Sequence, residues 1–254
     1  MSDSEIHSES TSFPGSSSSS NTNINPPEID YTKLPTKKQL KMKDLPAKSK
    51  PWDQVELPVD ALWLTVKECE FLSCVSHLNQ GYFKSYNVEL GPIYFGKIGG
   101  EEGTMKIALQ RCKMGPDDAI IAVKNAARVL RPKAVFSVGF CGGLKDNLKL
   151  GDVIISSKLR TYSLLKITES AIEDRNDAVP LNTHLSKLLL DANAGWKPPL
   201  KDEKVEVNVI TNGVILSGPQ VVDNKDRRAE LTKRYGDATA IEMEGQGEIS
   251  SSTV

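Results

Sequence analysis

The sequence predicts a three-layer α/β domain, with helices on both faces of a mostly parallel or mixed sheet. Three observations predict this class. From residue 58 onward, short apolar runs fit for buried strands alternate with segments of helical apolar spacing. Proline, acidic residues and glycine stand where helices open and close. A glycine-rich strand end, "VGFCGGL", interrupts the middle of that alternation.

The elements follow in order. "DALWLTV" (60–66) reads as a buried strand, and "KECEFLSCVSHLNQ" carries Phe71, Leu72, Val75 and Leu78 at helical spacing. "GPIYFGKIGG" and "MKIALQRC" read as paired strands around a Gly-Gly turn. "PDDAIIAVKNAARVL" begins with Pro116 and two aspartates, a helix start in which the acids also suit the dipole. "PKAVFSVGF" is a strand of about six residues by its apolar run, followed by a further strand in "LGDVIISSKLRTYS". Residues 180–195 predict a helix closed by Gly195, and "VEVNVITNGVILSG" predicts two strands. "NKDRRAELTKRYG" is a helix ending at Gly236, and "ATAIEME" is a last strand.

Composition sets the outer bounds. Residues 1–57 are rich in Ser, Asn, Pro and Lys and are expected to be disordered, because such a stretch buries too little apolar surface to offset its ordering entropy. The basic run "KLPTKKQLKMKDLPAKSKP" within it reads as a solvated linker. The domain is expected over 58–247, with a polar tail at 248–254. A formal net charge of −1 over 254 residues implies no nucleic-acid partner. The start has no apolar core of a signal peptide, and no apolar run approaches the ~18 residues that span a bilayer, so no membrane is expected and the location reads as cytoplasmic. Cys69, Cys74, Cys112 and Cys141 show no metal-ligand spacing and read as small buried hydrophobes in a reducing compartment. The glycine pattern is not the dinucleotide fingerprint, so neither a metal nor a cofactor is expected.

Ligands of an open parallel sheet collect at the carboxyl ends of its strands. Three stretches reach such ends: "TVKECEF", "SVGFCGGL" and "IEMEG". Glycines there allow a ligand to approach bare backbone, although a glycine-rich strand end is more often a tight turn. Glu242 and Glu244 flank Met243, and alternate residues of a strand share a face. Two carboxylates on one face suit the hydroxyls of a sugar, with acidic decoration of an edge as the plainer alternative. Glu68 and Glu70 open a helix, where they also fit as dipole-complementing acids.

"FSVGFCGGLKDNLKLGDVIIS", "GVILSGPQVVDNKDRRAEL" and "ATAIEMEG", in that order, resemble the nucleoside phosphorylase/nucleosidase superfamily, and within it the 5′-methylthioadenosine/S-adenosylhomocysteine nucleosidase branch. The resemblance covers about residues 58–247 and implies the nucleoside phosphorylase-like three-layer fold. It implies a purine nucleoside as the small-molecule ligand, cleavage of the N-ribosidic bond, and a homo-oligomer. Laid on the family's motifs, Glu70 is the acid that activates the attacking water. Glu244 accepts from the ribose hydroxyls, Met243 packs on the sugar, and Glu242 supports from one step earlier. Cys141 and Gly142 line the base pocket with their backbone, and Val221 and Val222 lie along the purine.

The resemblance favours hydrolysis over phosphorolysis. "VKECE" has no arginine, Ser137 stands where phosphorylases place one, and Phe140 replaces their hydroxyl residue, where its ring would crowd an anion. Family members continue past the last strand through a helix, a strand, an aspartate that protonates the purine, and a final helix. "GQGEISSSTV" stands there instead, so the C-terminal strand and helix are expected to be missing, with a bare sheet edge and marginal stability. A non-catalytic nucleoside-binding or regulatory module is the alternative to a nucleosidase.

Overall fold

A computed structural model describes residues 25–100 and 103–245. A six-stranded mixed sheet contains β1 (Ser49–Lys50), β2 (Ala61–Thr65), β3 (Phe83–Asn87), β4 (Gly91–Gly100), β5 (Gly103–Arg111) and β6 (Ala134–Ser137), in the spatial order β1-β3-β4-β5-β2-β6. β2 runs parallel to both β5 and β6, whereas β4 is antiparallel to β3 and β5. α1 (Glu68–Ser76) follows β2, and α2 (Pro116–Leu130) links β5 to β6.

Alternation along β2 explains why this sheet is covered on both faces. Leu62 and Leu64 join Ala122, Val123, Ala126 and Leu130 of α2 in one apolar cluster. Trp63, between them, turns to the opposite cluster with Phe71, Cys74 and Val75 of α1. α2 starts as its sequence dictates, with Pro116 at its first position, aspartates in its first turn, and Gly115 ahead of it at a φ of 112° that side chains rarely adopt.

A second mixed sheet follows. β7 (Gly142–Gly143) and β8 (Val153–Thr161) belong to it, β9 (Leu165–Ile167) and β10 (Ile172–Asp174) form a separate hairpin, and β11 (Ala178–Pro180), β12 (Val209–Ser217) and β13 (Ala240–Glu242) complete it. The order is β11-β8-β12-β13-β7, with β12 parallel to β8 and β13. The short α3 (Thr183–Leu188) precedes β12, and α4 (Lys225–Arg234) precedes β13. Leu231 and Tyr235 cover Leu216, Tyr162 and Leu144.

The α/β class with a mixed sheet therefore holds, and several elements differ from expectation. Residues 25–57 are not a free linker. Leu40 and Leu45 are buried beside α1 and Tyr94, and Trp52 meets the Phe95 ring edge-on with centroids 6.0 Å apart. Residues 28–30 are tied to 199–201 by backbone hydrogen bonds and by the Lys201–Glu28 ion pair at 2.7 Å. A few widely spaced apolar anchors suffice where a preformed surface receives them, and bulk composition hides this. The remainder of the expected disordered stretch, 1–24, lies outside the described residues, as do residues 246–254, on which the expected tail and missing elements fall.

The two strands expected in 205–218 are one, β12, with register shifts on either side of Gly213. Asn212-Gly213 imitates a hairpin turn but forms an irregularity inside a parallel strand, where a Cβ on Gly213 would meet Ile154 at 2.5 Å. The helix expected over 180–195 shrinks to α3 and a 3₁₀ turn, Leu189–Asp191. Leu188 and Leu190 remain exposed, so no buried stripe sustains it. The β6 strand stops at Ser137, two residues short of the close approach of Gly139 to α1. Only Cys74 of the four cysteines is buried; Cys112 is half-buried, and Cys69 and Cys141 are exposed.

Candidate active site

β2 and β6 end side by side, and α1 begins two residues after β2. This places Glu70, the third residue of α1, against the loop leaving β6. Its Oε2 accepts hydrogen bonds from the N–H groups of Val66 (3.0 Å) and Lys67 (2.7 Å), and its Oε1 accepts from the N–H of Phe140 (3.1 Å). Glu70 thus caps the start of α1, a role more specific than the dipole-complementing one expected of it, and the same carboxylate also ties α1 to the glycine-rich loop. Gly139 suits this approach, since a Cβ there would sit 3.0 Å from Glu70 Oε1 and the carboxylate would have to shift.

Glu244 arrives from the other side of the same place. It follows β13, and Glu70, Glu244, Ser137, Val138 and Gly139 line one hollow of about 20 Å³, with Thr65, Cys112 and Ala119 among the remaining wall residues. Burial holds the Glu244 carboxyl above the usual range, and the charges of Glu242 and Glu70 add to this, while the backbone amides of Gly115 and Met243 pull the other way. Gly115 caps α2, so the positive end of that helix faces the acid.

The expected geometry of the acidic pair is corrected. β13 ends at Glu242, and residues 243–244 form a bend, so Glu242 and Glu244 do not share a strand face. Glu242 turns back instead, accepting from the N–H of Glu244 at 2.7 Å and from that of Gly245 at 3.0 Å. It fixes the bend that presents Glu244. Phe140 itself is 71% exposed, and it contributes its backbone N–H to Glu70.

Met243, Cys141, Gly142, Val221 and Val222 are not among the residues lining the hollow. Met243 is half-buried beside Glu244, Gly142 pairs with Ile241, Cys141 and Val221 are exposed, and Val222 packs toward the α4 cluster. Gly115, Ser137, Val138, Gly139 and Ala119 belong to the site without having been singled out as its lining. The signals for two of them were the glycine before Pro116 and the first glycine of the strand end. Among the described residues no helix is long and apolar enough to cross a membrane.

Comparison with known proteins places the fold and the family. A model of the Phosphorylase superfamily matches residues 75–250. The 5′-methylthioadenosine/S-adenosylhomocysteine nucleosidase of Maridesulfovibrio salexigens is 24% identical, over 72% of this chain and 74% of its own length. The corresponding nucleosidase of Glaesserella parasuis is 27% identical over 60% of this chain, and the match spans 62% of that protein, just under two thirds. Among solved structures, the nucleosidase of Neisseria meningitidis in complex with methylthio-immucillin-A superposes with a TM-score of 0.59 at 18% identity, covering 76% of this chain and 79% of that one. A nucleosidase from Borrelia burgdorferi bound to adenine gives 0.61 at 21% identity, covering 76% and 80%. At such identities the structural likeness establishes the fold.

Proposed function

The chain belongs to the Phosphorylase superfamily, and from that premise we propose that it hydrolyses the N-ribosidic bond of purine nucleosides of the methylthioadenosine/adenosylhomocysteine type. One observation carries the reading: Glu70 and Glu244, from distant parts of the chain, line one hollow the size of a single water.

The chemistry follows from the two acids' surroundings. An ionised carboxylate offers about four acceptor sites, and three hydrogen bonds from backbone N–H groups fix Glu70 in place. About one site is left to receive a proton from a water in the hollow. Such general-base assistance is worth about 10²–10⁴-fold. Glu244 lies across the hollow, where its carboxylate accepts from the sugar hydroxyls and offsets the positive charge that builds on the ribosyl carbon. The purine departs with the electron pair of the broken C–N bond and takes a proton from solvent, to which Glu70 returns the proton it received from the attacking water. The nucleoside sits over the mouth of the hollow, which is too small to admit it. Glu242 acts through Glu244, as its positioning residue. Residues 58–247 form the catalytic domain in this reading, and Met243, Cys141, Gly142, Val221 and Val222 touch the sugar or base only from outside the hollow.

Hydrolysis is favoured over a binding-only role because a water-sized space between two carboxylates serves a reaction with water. The test is release of adenine from methylthioadenosine by the purified chain in phosphate-free buffer. Free sugar as the second product is expected. Turnover that depends on added phosphate would contradict the proposal, and binding without turnover would favour the non-catalytic module.

A further inference from the structure

A second, much larger cavity of about 660 Å³ adjoins the hollow, and Val66 and Cys112 line both. Its size falls in the roughly 300–1,000 Å³ range of small-molecule sites. Four cationic residues line it: Lys67 just before α1, Lys84 on β3, Arg111 at the end of β5, and Lys113 in the loop that follows. No acidic residue is among the described residues that line it. Glu68 stands outside, 3.9 Å from the Arg111 guanidinium, and offsets one charge of the four.

Two of these cations are held in place. Arg111 Nε donates to the carbonyl of Val66 at 3.1 Å, and Lys84 Nζ donates to the carbonyl of Ala47 at 3.0 Å. Lys113 makes no ion pair among the described residues. Tyr94 and Met114 supply apolar wall between the charges. Like charges gathered in one concave, partly apolar site repel one another and concentrate a positive field, which an anion relieves.

We propose that this cleft receives the phosphate of a purine nucleoside monophosphate whose sugar is held at Glu244. The inference rests on the nucleoside reading of the smaller hollow and adds a phosphorylated nucleoside to the ligands that site takes. A phosphate monoester carries a charge of about −1.5 to −2 near pH 7 and three acceptor oxygens, which matches a cluster of lysine and arginine donors. The shared residues Val66 and Cys112 put the cleft beside the sugar, so one ligand occupies both places.

Calorimetry on the full chain at low ionic strength tests this with adenosine 5′-monophosphate, adenosine and inorganic phosphate as separate probes. The monophosphate is expected to bind at least about tenfold more tightly than adenosine. That advantage should fall several-fold in Lys113→Gln and in Lys84→Gln, and again on raising the salt, with adenosine affinity unchanged. Equal affinity for the monophosphate and adenosine would overturn the proposal while leaving the nucleoside site intact. Inorganic phosphate binding as tightly as the monophosphate would also overturn it, by making the cleft a free-phosphate site. Failure of both adenosine and its monophosphate to bind would remove the nucleoside reading itself, and the inference with it.

Discussion

Glu70 Oε1 accepts a hydrogen bond from the backbone N–H of Phe140 at 3.1 Å, joining the first turn of α1 to the glycine-rich loop after β6. Because Oε2 is held by Val66 and Lys67, this one side chain spans the gap between the ends of two adjacent strands. The same contact serves the helix, the loop and the hollow, so changes on either side of it should be felt on the other.

Gly139→Ala tests that coupling. The new methyl would lie 3.0 Å from Glu70 Oε1 and 3.3 Å from its Cδ, closer than the carboxylate tolerates without moving. A cost of about 1–3 kcal/mol in denaturant unfolding is expected, as for other overpacked sites. In a double-mutant cycle the penalty should shrink when Glu70 is already truncated to alanine. Additive effects would show that the two residues do not bear on each other.

Glu244 makes a pH-dependent prediction. Burial first, and then Glu242, raise its native pKa above the ordinary 4.5, so the folded chain holds this proton more tightly than the unfolded chain does. Its effect on stability is absent at pH values well below 4.5. As pH rises from there through the raised native value, stability falls, and the penalty is complete above it. Glu244→Gln should therefore be more stable than the parent at pH 7 and should lose that advantage on acidification toward pH 4. Unfolding curves across this range would reveal it; an advantage that grows on acidification would contradict the assignment.

Leu45→Ala probes the N-terminal segment. The side chain is buried against the cluster containing Phe71 and Val75 of α1. Removing it should cost about 2–5 kcal/mol if residues 25–57 are part of the domain. A change below about 0.5 kcal/mol, typical of exposed positions, would return the segment to the status of a linker.

The first sheet was legible because β2, α1 and α2 carry strong apolar periodicity and clear start signals, above all Gly115-Pro116 with its two aspartates. The N-terminal segment was not, since Leu40 and Leu45 are isolated apolar residues in a lysine-rich stretch whose composition outweighs them. Asn212-Gly213 misled because the pair has the local chemistry of a turn, and pairing with β8 before and after it keeps the strand going. In the site, Glu70 and Glu244 were found through their likeness to family motifs. Their local sequences alone left surface acids open as an equal reading. The bend at 243–244 overrode the strand alternation that placed Glu242 beside Glu244, because the Glu242 carboxylate binds the next backbone amides. The basic cleft was invisible because its cations come from α1, β3, β5 and a loop, each looking like an ordinary surface residue until the fold brings them together.

The central claim, that Glu70 activates a water which cleaves the N-ribosidic bond, is tested most directly by single-turnover release of adenine from methylthioadenosine, comparing the parent chain with Glu70→Gln at matched, saturating ligand. The rate of the chemical step should fall about 10²–10⁴-fold while ligand is still bound. Equal rates in the two proteins would contradict the account.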